Sequence, residues 1–310
     1  MSISPTALSI VHPVAVTPAM LVATNIAETD FPAWAVGTTY TLGQRVIVLS
    51  NSRVYESLQN SNVGRDPLTA TTWWIEVGPT NRWRCFDRSV TSQTVAAGTD
   101  TTTISYTLRP GQAVTALAAL NVTNATSMRV RLVDATHGTV YDRTVSFASQ
   151  PLQSGWWNWF FGQRQQPTQQ ITTDMPSTFG NADLLVDFVG GTGMGVGALV
   201  FGSQMRFGIG LQYGARVGIQ DYSRKETSAF GDVILVRRAF AKRANFDLFI
   251  SNNELDSLQN FLSSIRAVPC LWIGADRYES TILYGFYKNF DVLIAYPEHG
   301  ECSLEIEGLT

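Results

Sequence analysis

The chain has 310 residues, of which 45% are hydrophobic and 15% charged, and its net charge is −3. This composition excludes a disordered chain, and the charge balance gives no electrostatic footprint for nucleic acid or for an anionic lipid surface. The length exceeds one simple core and points to two or three domains, and low charge with 25 glycines and abundant Thr, Ser and Val points to β-structure.

Residues 1–30 are rich in Pro, Thr and Ala with little period. They read as an extended N-terminal arm over a neighbouring subunit, or as a disordered one. No basic n-region precedes the apolar run, which Pro13 and Pro18 interrupt, so a signal peptide is not expected. No apolar stretch reaches about 18 residues, so no membrane span is expected.

Residues 31–79 carry short β-runs, "QRVIVLS" and "RVYESLQ", separated by Asn51-Ser52 and closed by the turn signal Gly78-Pro79. Residues 80–212 present strand candidates at regular spacing: "TTISYTL", "VTALAALNV", "SMRVRLVD", "TVYDRTVSF", "DLLVDFVG" and "VGALVFG". That pattern predicts a β-sandwich, specifically a jelly roll. "GWWNWFFG" at 155–162 reads as a strand with two apolar faces. One face packs in the core; the other meets a neighbouring domain or subunit, or offers a stacking platform. Residues 213–310 predict a small α+β domain. Its helix carries Leu255, Leu258, Phe261, Leu262 and Ile265 on one face and Asn253, Asp256, Asn260 and Ser264 on the other, with Pro269 beyond its end. Strands "CLWIG", "ILYGFYKNFDVLIAY" and "CSLEIEGL" follow, and the runs at 281–296 and 302–309 are candidate free edges for ring closure. "DYSRKE" at 221–226 joins the two larger units as a solvated turn or as a contact across subunits.

Candidate chemistry is sparse. Gly193, Gly195 and Ala198 satisfy GxGxxA, but a strand-like segment follows where a phosphate site needs a helix, so the run reads as a tight turn or bulge. His12, His137 and His299 are scattered, and Cys85, Cys270 and Cys302 are widely spaced, so no metal site is expected. Asp183 and Asp187 read as an exposed edge pair rather than an acid/base couple. No nucleophile elbow or HExxH is present; neither an enzyme nor a cofactor is expected.

Residues 34–78 resemble the small chitin-binding carbohydrate-binding modules of families 5 and 12. The likeness rests on Trp34, Gly37, Thr38, Tyr40, Gly43, Arg45, Val46, Asn51, Tyr55, Trp74 and Gly78. It implies sugar stacking by Trp34, Tyr40, Tyr55 and Trp73 or Trp74. The family's tight-turn glycine is Ser52 here, and "SLQNSN" replaces its usual double aromatic, so half of the stacking platform is missing. "GPTNRWRCFDRSVTSQT", "YGARVGIQDYSRKETSAFGD" and "YGFYKNFDVLIAYPEHGECSLEIEGLT" resemble structural proteins of tailed bacteriophages at the tail tip or baseplate. In layout, residues 213–310 are similar to tail-tube and distal-tail domains. The resemblance implies a structural virion protein, made in the host cytoplasm, that forms a homo-oligomeric ring or attaches to one. Its expected partners are tail-tube, hub and fibre proteins and, through the N-terminal module, a host surface glycan. The alternative is a carbohydrate-binding, receptor-recognising adhesin (a lectin) of the tail.

Overall fold

The computed structural model describes residues 7–96, 102–151, 155–212, 214–227, 232–274, 278–294 and 296–309. The protein is mainly β. Among the described residues one antiparallel sheet contains 14 strands, and residues 45–79 hold a separate three-stranded sheet.

Two long strands organise the larger sheet. Ala116–Asp134 and Asp183–Phe207 run antiparallel from Asp183↔Val133 to Gly202↔Ala116. The sequence pattern divides each into two strands, whereas the structure carries both through bulges. The register shifts around Gly190 and Gly195, and Asn121 and Asn124 on the partner strand take positive φ of 49° and 55°. A Cβ at Gly190 would run into the Asn124 carbonyl oxygen, so close backbone approach requires glycine there. The glycine run is therefore a bulge within a strand.

Thr102–Leu108 pairs with the other side of residues 184–190. Ile104, Tyr106, Leu108, Met128, Val130, Leu132, Leu184, Val186 and Phe188 then form one buried cluster, as period-2 alternation dictates. Asp183 and Asp187 are consequently not on an edge strand. Arg109 grips Asp183 through two hydrogen bonds of 2.7 and 2.9 Å, and Arg131 reaches Asp187 at 2.7 Å. Their role is cross-strand pairing.

The N-terminal segment departs most from expectation. Far from being an arm outside the fold, Leu8–Pro13 pairs with Gly202–Phe207 on one side and with Leu271–Ile273 on the other. Leu8 and Ile10 join the cluster of Phe246, Leu248 and Trp272. Val11, on the opposite face, joins Ala118, Val200 and Leu271. This one strand links the two halves of the sheet. A side chain at Gly202 would collide with the His12 carbonyl oxygen. Leu21–Thr24 then lies along Tyr106–Leu108, and Glu28 and Asp30 hold Arg82 and Arg84 at 3.4 and 3.3 Å. The chain entering the 31–79 module is thus pinned to the chain leaving it.

In the C-terminal part, the helix Asn252–Ser264 follows Ser251 and buries Leu258 and Leu262, with Ile265 just beyond, against Phe246, Leu248, Ile250, Leu304 and Ile306. Asn253, Asp256, Asn260 and Ser264 face solvent. The final strand His299–Gly308 lies between Phe240–Ser251 and Ile282–Leu293. It is interior, so the expectation of a free edge at 302–309 fails. Cysteine and sheet register place Cys302, Leu304 and Ile306 in the core. Of the 281–296 candidate, Phe286–Leu293 lacks a partner on its second side among the described strands.

Candidate functional site

The 31–79 module folds around Arg45–Val48, Arg53–Ser57 and Trp74–Pro79. Ser52 takes φ of 54° in the turn between the first two, so a serine occupies the left-handed position that glycine fills at less cost. Asn51 fixes this turn: its Oδ1 accepts from the Arg53 amide at 3.2 Å, and its Nδ2 donates to the Tyr55 hydroxyl at 2.8 Å.

Three of the five expected sugar-stacking side chains are structural. Trp74 is only 2% exposed, and Tyr40 and Tyr55 are buried with it. The Trp74 indole donates to the Arg65 carbonyl at 2.9 Å and meets the Tyr40 ring edge-on at 5.2 Å. The Tyr40 hydroxyl accepts from the Ala35 amide at 2.8 Å. Rings with their faces covered and polar tips satisfied cannot stack on a ligand. Trp34 and Trp73 are half-buried. Arg65 lies over Trp73, 5.2 Å from its centroid. Trp34 faces a shallow groove of about 280 Å³ with Leu49, Asp66 and Leu68. The structure therefore brings one expected residue to an accessible groove and leaves a second under an arginine.

Replacing Trp74 with alanine should cost roughly 3–5 kcal/mol, as for other buried tryptophans, and unfold the module. Trp34→Ala, at a half-buried side chain that packs on the edge of this core, should lower its melting by much less. Thermal unfolding followed by near-UV circular dichroism separates the two; equal destabilisation would show that Trp34 is core as well.

Two further surfaces, each open to several readings from sequence, are exposed in the structure. Arg224–Thr227 and Val233–Val236 pair with each other alone and are exposed at every position. Leu235 is 77% exposed, and Ile219 in the adjoining strand Arg216–Asp221 is 68% exposed. "DYSRKE" is thus the root of a projecting hairpin, with Arg224 bound to Glu226 at 3.2 Å. At the hairpin's base a cleft of about 430 Å³ is lined by Arg237, Arg238, Lys242 and Tyr284. Burial pushes the Tyr284 hydroxyl up to about 12, so it stays neutral in this lining.

The second surface is "GWWNWFFG". It is a short helix, Trp156–Phe161, and all five of its aromatic side chains are exposed. The expected strand and its buried faces are absent: Gly155, at φ of 122°, opens the turn, and the Trp159 and Gly162 amides bond back to Gly155 and Asn158 at 3.0 Å.

All three cysteines are free and buried, and burial pushes each thiol up to about 12. Among the described residues no group of three or more His, Cys, Asp or Glu is placed to hold a metal. No described helix is long and apolar enough to cross a membrane. Comparison with family models, with curated proteins and with solved structures found no match.

Proposed function

We propose that the protein is a structural subunit of a phage tail tip or baseplate, distal-tail-like, which assembles through residues 213–310 into a ring or onto one. In this reading residues 80–212 form a jelly roll outside the ring. Residues 31–79 are a carbohydrate-binding-like unit whose motif aromatics serve as its core, so it works chiefly as a rigid spacer or clamp. Tail-tube, hub and fibre proteins are the partners, and the virion is the place of action.

The observation that supports this reading best is the exposed strand pair Arg224–Thr227 and Val233–Val236. An isolated two-stranded hairpin is marginal in water, and one that exposes Ile234 and Leu235 calls for cover by another chain. Head-to-tail association of identical subunits supplies such cover and closes into rings.

The expected result is a closed ring by light scattering and negative-stain imaging at micromolar concentration. The double variant Ile234→Ser/Leu235→Ser should be monomeric with a nearly unchanged melting profile, because both side chains are exposed in the subunit. Two buried side chains are worth roughly 1.5–3 kcal/mol each, so association should weaken by at least about a hundredfold. A wild-type monomer, or a ring that survives the double variant, overturns the reading.

The groove beside Trp34 favours the tail adhesin as a second reading. Titration of the full chain with chitin oligomers and host-surface glycans decides between them. Low-micromolar binding that Trp34→Ala abolishes would make sugar recognition the main task.

A further inference from the structure

We propose that the helix Trp156–Phe161 is a lipid-interface anchor, a tip that inserts its aromatic side chains into the headgroup boundary of a bilayer without spanning it. The proposal is independent of ring assembly.

The tip is built to project. Gln150–Pro151 pairs with Arg164–Gln165 as a small neck, and the helix sits at its far end. Below the neck the segment is tied to the strand Ala116–Asp134: the Gln166 side-chain Nε2 donates to the Ala125 carbonyl, and the Val122 backbone N–H donates to the Thr168 carbonyl at 2.8 Å. The base is therefore fixed while the tip is not covered. Trp156 is 73% exposed and Trp159, the least exposed of the five, is 54%.

Geometry favours a fluid partner over a folded one. At about 100° per residue, the five aromatics spread over more than half of the helix circumference and leave Asn158 on the remaining side. A single protein surface covers one face of a helix, whereas acyl chains and headgroups close around a convex wedge. Chemistry points the same way. Tryptophan, with an apolar body and an indole N–H that needs a partner, suits the layer where hydrocarbon meets ester carbonyls. The rings brace one another, with Trp157 4.5 Å from Phe161 and 5.7 Å from Trp156, so they would enter as one body.

Charge is compatible as well. Although the chain is net negative, no carboxylate occurs between Asp142 and Asp174, so the segment that carries the tip has no acidic side chain of its own to repel lipid phosphates. Arg143 is held by Asp174 at 2.8 Å. Arg164 stands at the neck, its guanidinium 5.7 Å from the Trp159 centroid and bonded to the Trp159 carbonyl at 3.0 Å. That places one cation at headgroup depth, with exposed Gln150, Gln163 and Gln165 as an uncharged collar. Insertion of this kind is driven by apolar area and needs no basic surface.

The test uses the full chain with vesicles of phosphatidylcholine, alone or with phosphatidylglycerol, and reads flotation and tryptophan emission. The chain should float with both compositions, with a blue shift. Lipids brominated on the acyl chain should quench only part of the emission, because three of the eight tryptophans lie at the tip. The variant Trp156→Ser/Trp157→Ser/Phe160→Ser should lower vesicle partitioning at least about tenfold with an unchanged melting temperature. Should that variant not fold, quenching of the wild type still decides. Absence of flotation or of quenching overturns the proposal, as does flotation that the variant retains. Loss of self-association in the variant, with no vesicle binding by the wild type, would assign the tip to a second copy of the chain instead.

Discussion

Removal of residues 302–310 is expected to leave an insoluble or non-cooperative protein, because the final strand is the middle of its sheet. It is hydrogen-bonded to Phe240–Ser251 on one side and to Ile282–Leu293 on the other. It also contributes Cys302, Leu304 and Ile306 to the core beneath the helix. Burying Leu304 and Ile306 alone contributes roughly 3–6 kcal/mol, and both neighbouring ladders open as well. A whole domain has only about 5–15 kcal/mol to lose. Solubility and a far-UV melt read the outcome. A soluble truncation with a cooperative melt would place the strand at the periphery and restore it as a free edge for ring contacts.

The second large effect is expected at Ile10. A carboxylate in Ile10→Asp would sit among Phe246, Leu248 and Trp272 with no cation to pair it, a burial that costs several kcal/mol. Ile10→Ala should cost about 2–5 kcal/mol. Because Leu8–Pro13 joins the two halves of the sheet, the aspartate variant should uncouple them. Calorimetry is expected to show two separated transitions, and limited proteolysis should cut between residues 207 and 240. Ala15→Asp, at an exposed position just beyond the strand, serves as the control and should melt like the wild type. An Ile10→Asp protein that keeps a single unshifted transition would mean that the halves are joined by other contacts.

The mainly β character and the helix at Asn252–Ser264 were legible because each rests on local pattern: alternation along the strands, and Leu258, Leu262 and Ile265 three to four residues apart. The central position of Leu8–Pro13 was not. Six residues ending in proline carry no signal of partners that lie beyond residue 200, since strand pairing is non-local. The long strands were divided because Asn124 and the glycines at 190–195 look like turns, and only the paired strand reveals a bulge. "WWNWFF" is too short for a period to distinguish helix from strand, and aromatic β-propensity argued for the wrong one. At Tyr40, Tyr55 and Trp74 the motif match found residues that occur together without saying which side of the small sheet they face. The structure puts them inside.

The pairing of Leu8–Pro13 also has a consequence in time. This strand leaves the ribosome well before either of its neighbours, Gly202–Phe207 and Leu271–Ile273. At elongation rates of about 5–20 residues per second, its apolar residues wait on the order of tens of seconds for the second partner. During that interval the segment is a nascent, unpaired β-edge, and contacts so distant along the chain form slowly. The seam therefore closes late in synthesis, after a long interval in which the nascent chain is open to aggregation and to the binding of chaperones.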